Sequence, residues 1–214
     1  MIKSGHSSLI PRLLVIAGSD SGGGAGIQAD LKTAQAFGVY AQTAITAITV
    51  QNTMGVRDVH PVPGPVVRGQ IEACLADIGA DVLKIGMLGS AAAVVADALR
   101  DVKLPLVLDP VLLSSSGAVL LDEAGIAILK TRLLPRAALL TPNLPEVEAL
   151  TGIAVRDDAS LRAALAVFTA LGCPHVLFKG GHGLGNVAED VLADGETGAL
   201  QRLAAPRQAT RHTH

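Results

Sequence analysis

Short apolar runs alternate with longer amphipathic stretches along most of the chain. The runs are rich in Val, Ile and Leu, and the stretches place Ala and Leu at helical spacing. Runs that are apolar on both sides and separated by helices are typical of a mostly parallel sheet with helices on both faces. The pattern predicts strands at 13–17, 44–50, 82–85, 104–108, 138–140 and 176–178, a loop before residue 64, and helices at 27–37, 64–78, 91–99, 123–132, 145–150 and 159–171.

The pattern changes after Gly185. Two apolar runs, 191–193 and 199–203, flank the polar, Gly-containing segment 194–198. This arrangement predicts a short antiparallel hairpin near the C-terminal end of the sequence. No repeat or low-complexity linker divides the chain, so residues 1–214 are predicted to form one α/β domain.

Composition excludes several classes of partner. Seventeen basic and nineteen acidic residues nearly balance, and only 2% of residues are aromatic. The chain therefore lacks the basic face and the stacking platform that nucleic-acid binding requires. Cys74 and Cys173 lie far apart in the sequence, and neither belongs to a metal-binding motif. No apolar run is long enough to cross a bilayer. A cytoplasmic protein is expected, with no nucleic-acid or membrane partner.

A glycine-rich loop, Gly18 to Gly26, follows the first predicted strand. Gly18 and Gly23 have the glycine spacing of a P-loop, GxxxxGK[ST], but that motif requires Lys next, and Gly24 follows Gly23. Gly24, Gly26 and Ala29 match the dinucleotide fingerprint, although no acidic residue follows Asp30 before residue 58 to bind a ribose. Two interpretations remain: backbone N–H groups that approach a ligand, or a turn that packs a helix tightly against a strand.

Two other predicted loops carry groups suited to a flat ring. Gln51 and Asn52 each offer hydrogen-bond donors and an acceptor, which fits the edge of a heteroaromatic ring. Met87 follows the third predicted strand and could contact the face of such a ring. Taken alone, each feature is more typical of a structural role: an ordinary polar turn for Gln51 and Asn52, and core packing for Met87.

The remaining loops carry charge. Asp109 directly follows a strand, and Lys179 precedes Gly180 and Gly181, so an ammonium and backbone amides meet at one sheet edge, as a polyphosphate requires. Asn143 and Glu146 have the spacing of a helix capping box. The same two side chains could hold the waters of a Mg²⁺ ion.

Taken together, the loop sequences resemble the hydroxymethylpyrimidine kinase family of the ribokinase superfamily. The resemblance extends from Leu13 to the end of the chain. Two of its strings, QADLKT and VQNT, are closer to this family than to pyridoxal kinase or ribokinase. The strings that carry the resemblance are AGSDSGGGAGIQADLKT (17–33), TAITVQNTMGV (46–56), KIGML (84–88), LDPV (108–111), TPNLPE (141–146) and KGGH (179–182).

The resemblance implies a ribokinase-like fold and transfer of phosphate from ATP to 4-amino-5-hydroxymethyl-2-methylpyrimidine, and then to its monophosphate, in thiamine biosynthesis. It also implies Mg²⁺ as a cofactor and a homodimer. The implied substrate-binding residues are Gly18, Asp20, Ala25, Asp30, Gln51, Met87 and Val111. The implied nucleotide and metal residues are Asp109, Asn143, Glu146, Lys179, Gly180 and Gly181, with Lys179 contacting the phosphates.

The resemblance also raises an expectation about the C-terminal end. In this family a Gly-Thr-Gly-Cys segment, which forms the anion hole, follows an Asn/His-Thr-His sequence, and the 214 residues end at His212-Thr213-His214. The anion hole, the catalytic Cys position and the last helices are therefore expected to be absent from these residues. Two alternatives stay open: a kinase for pyridoxal or pyridoxine, and a truncated, catalytically silent pyrimidine-binding protein.

Overall fold

The computed structural model describes residues 10–113, 117, 119–180 and 186–207. Within these residues, nine strands form one sheet in the order β3-β2-β1-β4-β5-β6-β7-β8-β9. The strands are β1 Arg12–Asp20, β2 Tyr40–Asn52, β3 Gly55–Pro61, β4 Val82–Ile85, β5 Leu106–Leu108, β6 Leu139–Leu140, β7 His175–Phe178, β8 Val187–Asp194 and β9 Leu200–Pro206. The α-helices are α1 Gly26–Ala36, α2 Gly64–Ala76, α3 Ala92–Ala98, α4 Glu123–Ile128, α5 Leu144–Thr151 and α6 Asp158–Ala170.

The sheet is parallel in its centre and antiparallel at both edges. β1 pairs in parallel with β2 and β4, and the parallel arrangement continues from β4 to β7. β3 pairs antiparallel with β2, and the β8–β9 hairpin extends the other edge. The predicted mostly parallel sheet and the C-terminal hairpin are therefore confirmed.

Helices cover both faces of the sheet, but unequally within the described residues. Ile27 of α1 packs with Val15 and Ala17 on one face. The larger core lies on the other face, where Leu14 and Ile16 pack in one cluster with residues of α2, α3, α5 and α6. As a result, β1 is buried on both sides, whereas β4 alternates between fully and partly buried residues.

Several predicted bounds were wrong by up to four residues; β2, for example, begins at Tyr40 and not at residue 44. Two differences affect the elements themselves. The segment before residue 64, predicted as a loop, contains strand β3, which pairs with β2 across a turn at 53–54. β3 is a partly exposed edge strand with mixed polar residues, so it lacks the apolar run on which strand prediction depends. The helix predicted to end near residue 132 continues from α4 through a π-helical and a 3₁₀ segment to Arg136.

Candidate active site

A cleft of about 830 Å³ lies at the carboxyl edge of the sheet. The order of the strands reverses between β1 and β4, which is where open α/β sheets bind their ligands. Most of the residues predicted for substrate, nucleotide and metal meet in this one cleft. Its lining includes Gly18, Asp20, Ala25, Asp30, Gln51, Met87, Asp109, Val111, Asn143, Glu146 and Lys179.

The glycine-rich loop after β1 is organised around Asp20. This side chain is 2% exposed, and its Oδ1 accepts the N–H of Gly22 at 2.8 Å. Its Oδ2 accepts the N–H groups of Gly24 and Ala25 at 2.9 and 2.8 Å. These two residues directly precede Gly26, the first residue of α1. Their N–H groups bind the protein's own carboxylate, because the loop folds back over the end of β1.

Gly26 shows why the loop needs glycine. Its φ is +56°, and a Cβ at this position would lie 2.5 Å from the carbonyl oxygen of Gly18. No other residue could bring α1 so close to β1 without strain. This contact supports the interpretation of the loop as a tight helix–strand turn.

Gln51 is the second-last residue of β2, whereas the sequence predicted it in a loop beyond the strand. Its backbone is fixed to the glycine-rich loop, because its N–H donates to Ser21 Oγ at 2.9 Å and its carbonyl accepts the Ser21 hydroxyl at 2.7 Å. The Gln51 side-chain amide makes no hydrogen bond with any described residue. A held backbone and an available amide suit recognition of a ligand edge.

Met87 forms another wall of the cleft. Its Cε would lie 2.8 Å from a Cβ at Gly18, so the two residues are packed against each other. The carbonyl oxygen of Met87 accepts the Thr46 hydroxyl at 2.7 Å. Gly18, Ala25 and Met87 thus give this end of the cleft an apolar surface.

Asp30 lines the same end, but it is paired with a residue that the sequence analysis missed. Lys84 Nζ lies 2.9 Å from Asp30 Oδ1 and 3.0 Å from Oδ2. Both side chains are mostly buried, with exposures of 22% for Lys84 and 19% for Asp30. The pair joins α1 to β4, and Lys84 balances the charge of Asp30.

The other end of the cleft contains a second ion pair. Lys179 Nζ lies 2.7 Å from Asp109 Oδ1, and the Thr141 hydroxyl donates to the same oxygen at 3.1 Å. The N–H of Val111 donates to the backbone carbonyl of Asp109 at 2.9 Å. Three adjacent strands, β5, β6 and β7, therefore position one cation and one carboxylate at the cleft.

Asn143 and Glu146 form the predicted capping box at the start of α5. Asn143 Oδ1 accepts the N–H of Glu146, and Glu146 Oε2 accepts the N–H of Asn143, each at 2.8 Å. Burial raises the pKa of Glu146 from 4.5 to about 7. The hydrogen bond from Asn143 and the charge of Lys179 oppose this rise, and the charge of Asp109 adds to it.

These oxygen donors fit a hydrated Mg²⁺ ion beside a phosphate. Asp109, Asn143 and Glu146 supply carboxylate and amide oxygens, the ligands that Mg²⁺ prefers. No cluster of three His, Cys, Asp or Glu side chains with metal-ligand geometry occurs among the described residues. An ion here would consequently keep several waters and share its remaining ligands with the nucleotide.

The sequence pattern of the family described as phosphomethylpyrimidine kinase matches residues 20–214. The chain belongs to this family. A hydroxymethylpyrimidine/phosphomethylpyrimidine kinase of Haemophilus influenzae is 48% identical over 97% of the chain and 79% of that protein. The phosphomethylpyrimidine kinase of Clostridium difficile superimposes with a TM-score of 0.80 at 39% identity, over 94% of this chain and 85% of that one.

The chain is also similar in structure, at lower sequence identity, to the pyridoxal kinase of Staphylococcus aureus, solved with AMP-PCP and pyridoxal. It has a TM-score of 0.81 at 31% identity, over 94% of this chain and 74% of that one. The fold is therefore shared between kinases for two kinds of ring. Within the described part of the chain, no helix has the length and apolarity to cross a membrane.

Three residues of the site were not predicted from the sequence. Two of them, Lys84 and Asp190, line the cleft, and the third, Thr141, donates a hydrogen bond to Asp109. Lys84 could have been found, because it is the one charge in the apolar run Val82–Ile85 and a buried Lys requires a partner. Thr141 and Asp190 have no comparable sequence signal. Gly180, predicted to bind the nucleotide, is not among the residues that line the cleft, and Gly181 lies outside the described residues.

Proposed function

We propose that the protein transfers the γ-phosphoryl group of ATP to 4-amino-5-hydroxymethyl-2-methylpyrimidine, and then phosphorylates the monophosphate, in thiamine biosynthesis. One observation carries the proposal. A single cleft has an apolar end with an available amide, at Gly18, Met87 and Gln51, and a charged end at Asp109 and Lys179. A heteroaromatic alcohol and a nucleotide phosphate need these two environments side by side.

At the apolar end, we assign the pyrimidine to the space between Gly18, Ala25 and Met87. The Gln51 amide offers a donor and an acceptor to the aminopyrimidine edge. Asp30 lies near the ring, and Lys84 neutralises its charge, so this end suits an uncharged heterocycle. Val111 and the loop held by Asp20 complete the walls.

At the charged end, we assign the ATP phosphates to Lys179 and the backbone beside Gly180. Asp109, Asn143 and Glu146 would hold Mg²⁺ through water, and the ion would neutralise phosphate charge. In the transfer, a bond forms between the hydroxymethyl oxygen and the γ-phosphorus, the bond to the bridging oxygen of ADP breaks, and the hydroxyl proton is released. Such catalysis depends mainly on positioning and on charge stabilisation.

We further propose that the chain forms one kinase domain that works in the cytoplasm as a homodimer, as the family resemblance implies. One sheet and one main core connect the described residues from β1 to β8. The two cysteines, Cys74 and Cys173, are not bonded to each other, which fits a reducing compartment.

The test is ATP consumption by the protein with the hydroxymethylpyrimidine or with pyridoxal as acceptor. The pyrimidine is expected to be the better acceptor, judged by kcat/KM. Turnover of pyridoxal and not of the pyrimidine would contradict the substrate assignment and would favour the pyridoxal kinase alternative. Pyrimidine binding without ATP turnover would indicate the catalytically silent alternative.

A substitution links this activity to the cleft. Gln51→Ala should raise KM for the pyrimidine by roughly tenfold, the effect of losing about 1.4 kcal/mol of hydrogen bonding, and should leave KM for ATP nearly unchanged. Gln201→Ala, an exposed amide on β9, is the matched control. An equal rise in both KM values would remove Gln51 from the substrate site.

A further inference from the structure

Asp190 lies in β8, where backbone pairing between β7 and β8 stops. The last pair in the register joins Phe178 to Val191. Asp190 precedes Val191 in β8, and its Oδ1 accepts the N–H of Gly180, the second residue after β7, at 2.9 Å. The side chain thereby adds one hydrogen bond beyond the backbone ladder and fixes the peptide that follows Lys179.

The peptide that precedes Lys179 is fixed from the opposite side. The N–H of Lys179 donates to the carbonyl of Pro142 at 2.9 Å, and a parallel bridge joins Lys179 to Asn143. The two peptide groups that flank the Lys179 Cα are thus held by different neighbours, the extension of β6 and the Asp190 side chain. Because these peptide groups set the direction of the Cα–Cβ bond, they also set the direction of the ammonium group.

Gly180 makes this arrangement sensitive to small shifts. A Cβ at Gly180 would lie 1.9 Å from the carbonyl oxygen of Glu189, so the two backbones touch at this point. Loss of the hydrogen bond from Gly180 would let this contact relax by moving the backbone next to Lys179. A shift of about 1 Å in a positioning element can reduce catalysis by about a hundredfold.

We propose that Asp190 is a positioning residue for the nucleotide phosphates. By accepting the Gly180 N–H, it holds Lys179 in the orientation in which its ammonium meets the nucleotide phosphates. The inference rests on the proposed function, because it takes Lys179 as the phosphate contact. The role requires an acceptor oxygen at position 190, and it does not require a negative charge.

Steady-state kinetics of Asp190→Ala and Asp190→Asn test this inference. Asp190→Ala is expected to raise KM for ATP by about ten- to a hundredfold, while KM for the pyrimidine changes little. Asp190→Asn is expected to stay within about threefold of the wild-type value, because a carboxamide oxygen accepts the same N–H more weakly than a carboxylate does.

Asp194 provides a matched control on the same strand. Its carboxylate also accepts backbone N–H groups, from Glu196 at 2.8 Å and from Thr197 at 3.3 Å, but it serves the turn between β8 and β9. Asp194→Ala should therefore lower the melting temperature without changing KM for ATP. A purely structural role of Asp190 would make the two alanine variants behave alike.

Calorimetric binding of ADP to the same variants separates this inference from the proposed function. If the wild-type protein binds ADP but phosphorylates nothing, the proposed function fails, and a loss of ADP affinity in Asp190→Ala still supports the positioning role. Equal ADP affinity of wild type and Asp190→Ala would overturn that role. Asp190→Asn as impaired as Asp190→Ala would also overturn it, by showing that the charge is what matters.

Discussion

At the scale of single residues, Glu146 combines a structural and a chemical role. A glutamine could form the same capping box, yet this position has a carboxylate that burial makes costly to ionise. Proteins retain such groups where function needs them, at some loss of stability. Phosphate and Mg²⁺ chemistry at the adjacent Asp109 and Lys179 would explain why the carboxylate is there.

Glu146→Gln is therefore expected to stabilise the protein at alkaline pH. The folded pKa of Glu146 is about 7, and the ordinary value is 4.5. Below pH 4.5, Glu146 is protonated in both the folded and the unfolded state, so it does not lower the free energy of unfolding of the wild type. As pH rises from 4.5 through 7, the unfolded state ionises more readily than the folded state, and the free energy of unfolding falls. The loss approaches about 3 kcal/mol above pH 8, and the variant lacks it because Gln does not titrate.

The measurement is the free energy of unfolding of both proteins in urea, from pH 5 to pH 8, with a metal chelator present. Other titrating groups are common to both proteins, so they cancel in the difference. The difference in favour of the variant should grow with pH. A difference that is constant across this range would contradict the raised pKa.

At the scale of elements, the glycine-rich turn between β1 and α1 depends on Asp20. The N-cap residue of α1 is Ala25, whose side chain makes no capping hydrogen bond. Asp20 instead holds the backbone that leads into the helix, by accepting the N–H groups of Gly24 and of the N-cap residue Ala25, and it also holds Gly22 in the preceding turn. The start of α1, and with it one wall of the cleft, is consequently positioned by the last residue of β1.

Asp20→Ala should cost more stability than the loss of an ordinary helix cap. The variant removes a buried acceptor and leaves three backbone N–H groups of a partly exposed loop without it, so a loss of about 2–3 kcal/mol is expected. Asp122→Ala is the control, because Asp122 caps α4 through one hydrogen bond, to Gly125 at 2.8 Å, and should cost about 1 kcal/mol. Equal losses in urea titrations would show that Asp20 acts only as a simple cap.

At the scale of the whole molecule, much of the fold and of the cleft was predictable because both follow from local patterns. β4 has the predicted bounds, and the polar residues after β1, β4, β5 and β6 converge because parallel strands end at one edge. Three features were not predictable. β3 has no apolar run, and the contacts of Asp20 with Gly24 and of Asp190 with Gly180 depend on how the chain folds back.

The Lys84–Asp30 pair joins α1 to β4, two elements that are far apart in the sequence. Its effect on stability therefore depends on the tertiary fold and not on either element alone. Removing Lys84 leaves the Asp30 carboxylate mostly buried without its partner, and removing Asp30 does the same to Lys84. Lys84→Met and Asp30→Asn are each expected to cost roughly 1–3 kcal/mol of stability. The double variant should cost less than the sum by about 1 kcal/mol, as measured in a double-mutant cycle.

Arg12 and Asp81 provide the control pair at the opposite edge of the sheet. They join the starts of β1 and β4 through a 2.8 Å ion pair, but their side chains are 42% and 48% exposed. Exposed pairs are weak, so their coupling should be smaller than that between Lys84 and Asp30, and their loss should leave KM for the pyrimidine unchanged. Lys84→Met should raise that KM, because an unpaired carboxylate would face the ring site. Additive losses of stability at Lys84 and Asp30, together with an unchanged KM, would show that the pair neither couples α1 to β4 nor shapes the substrate site.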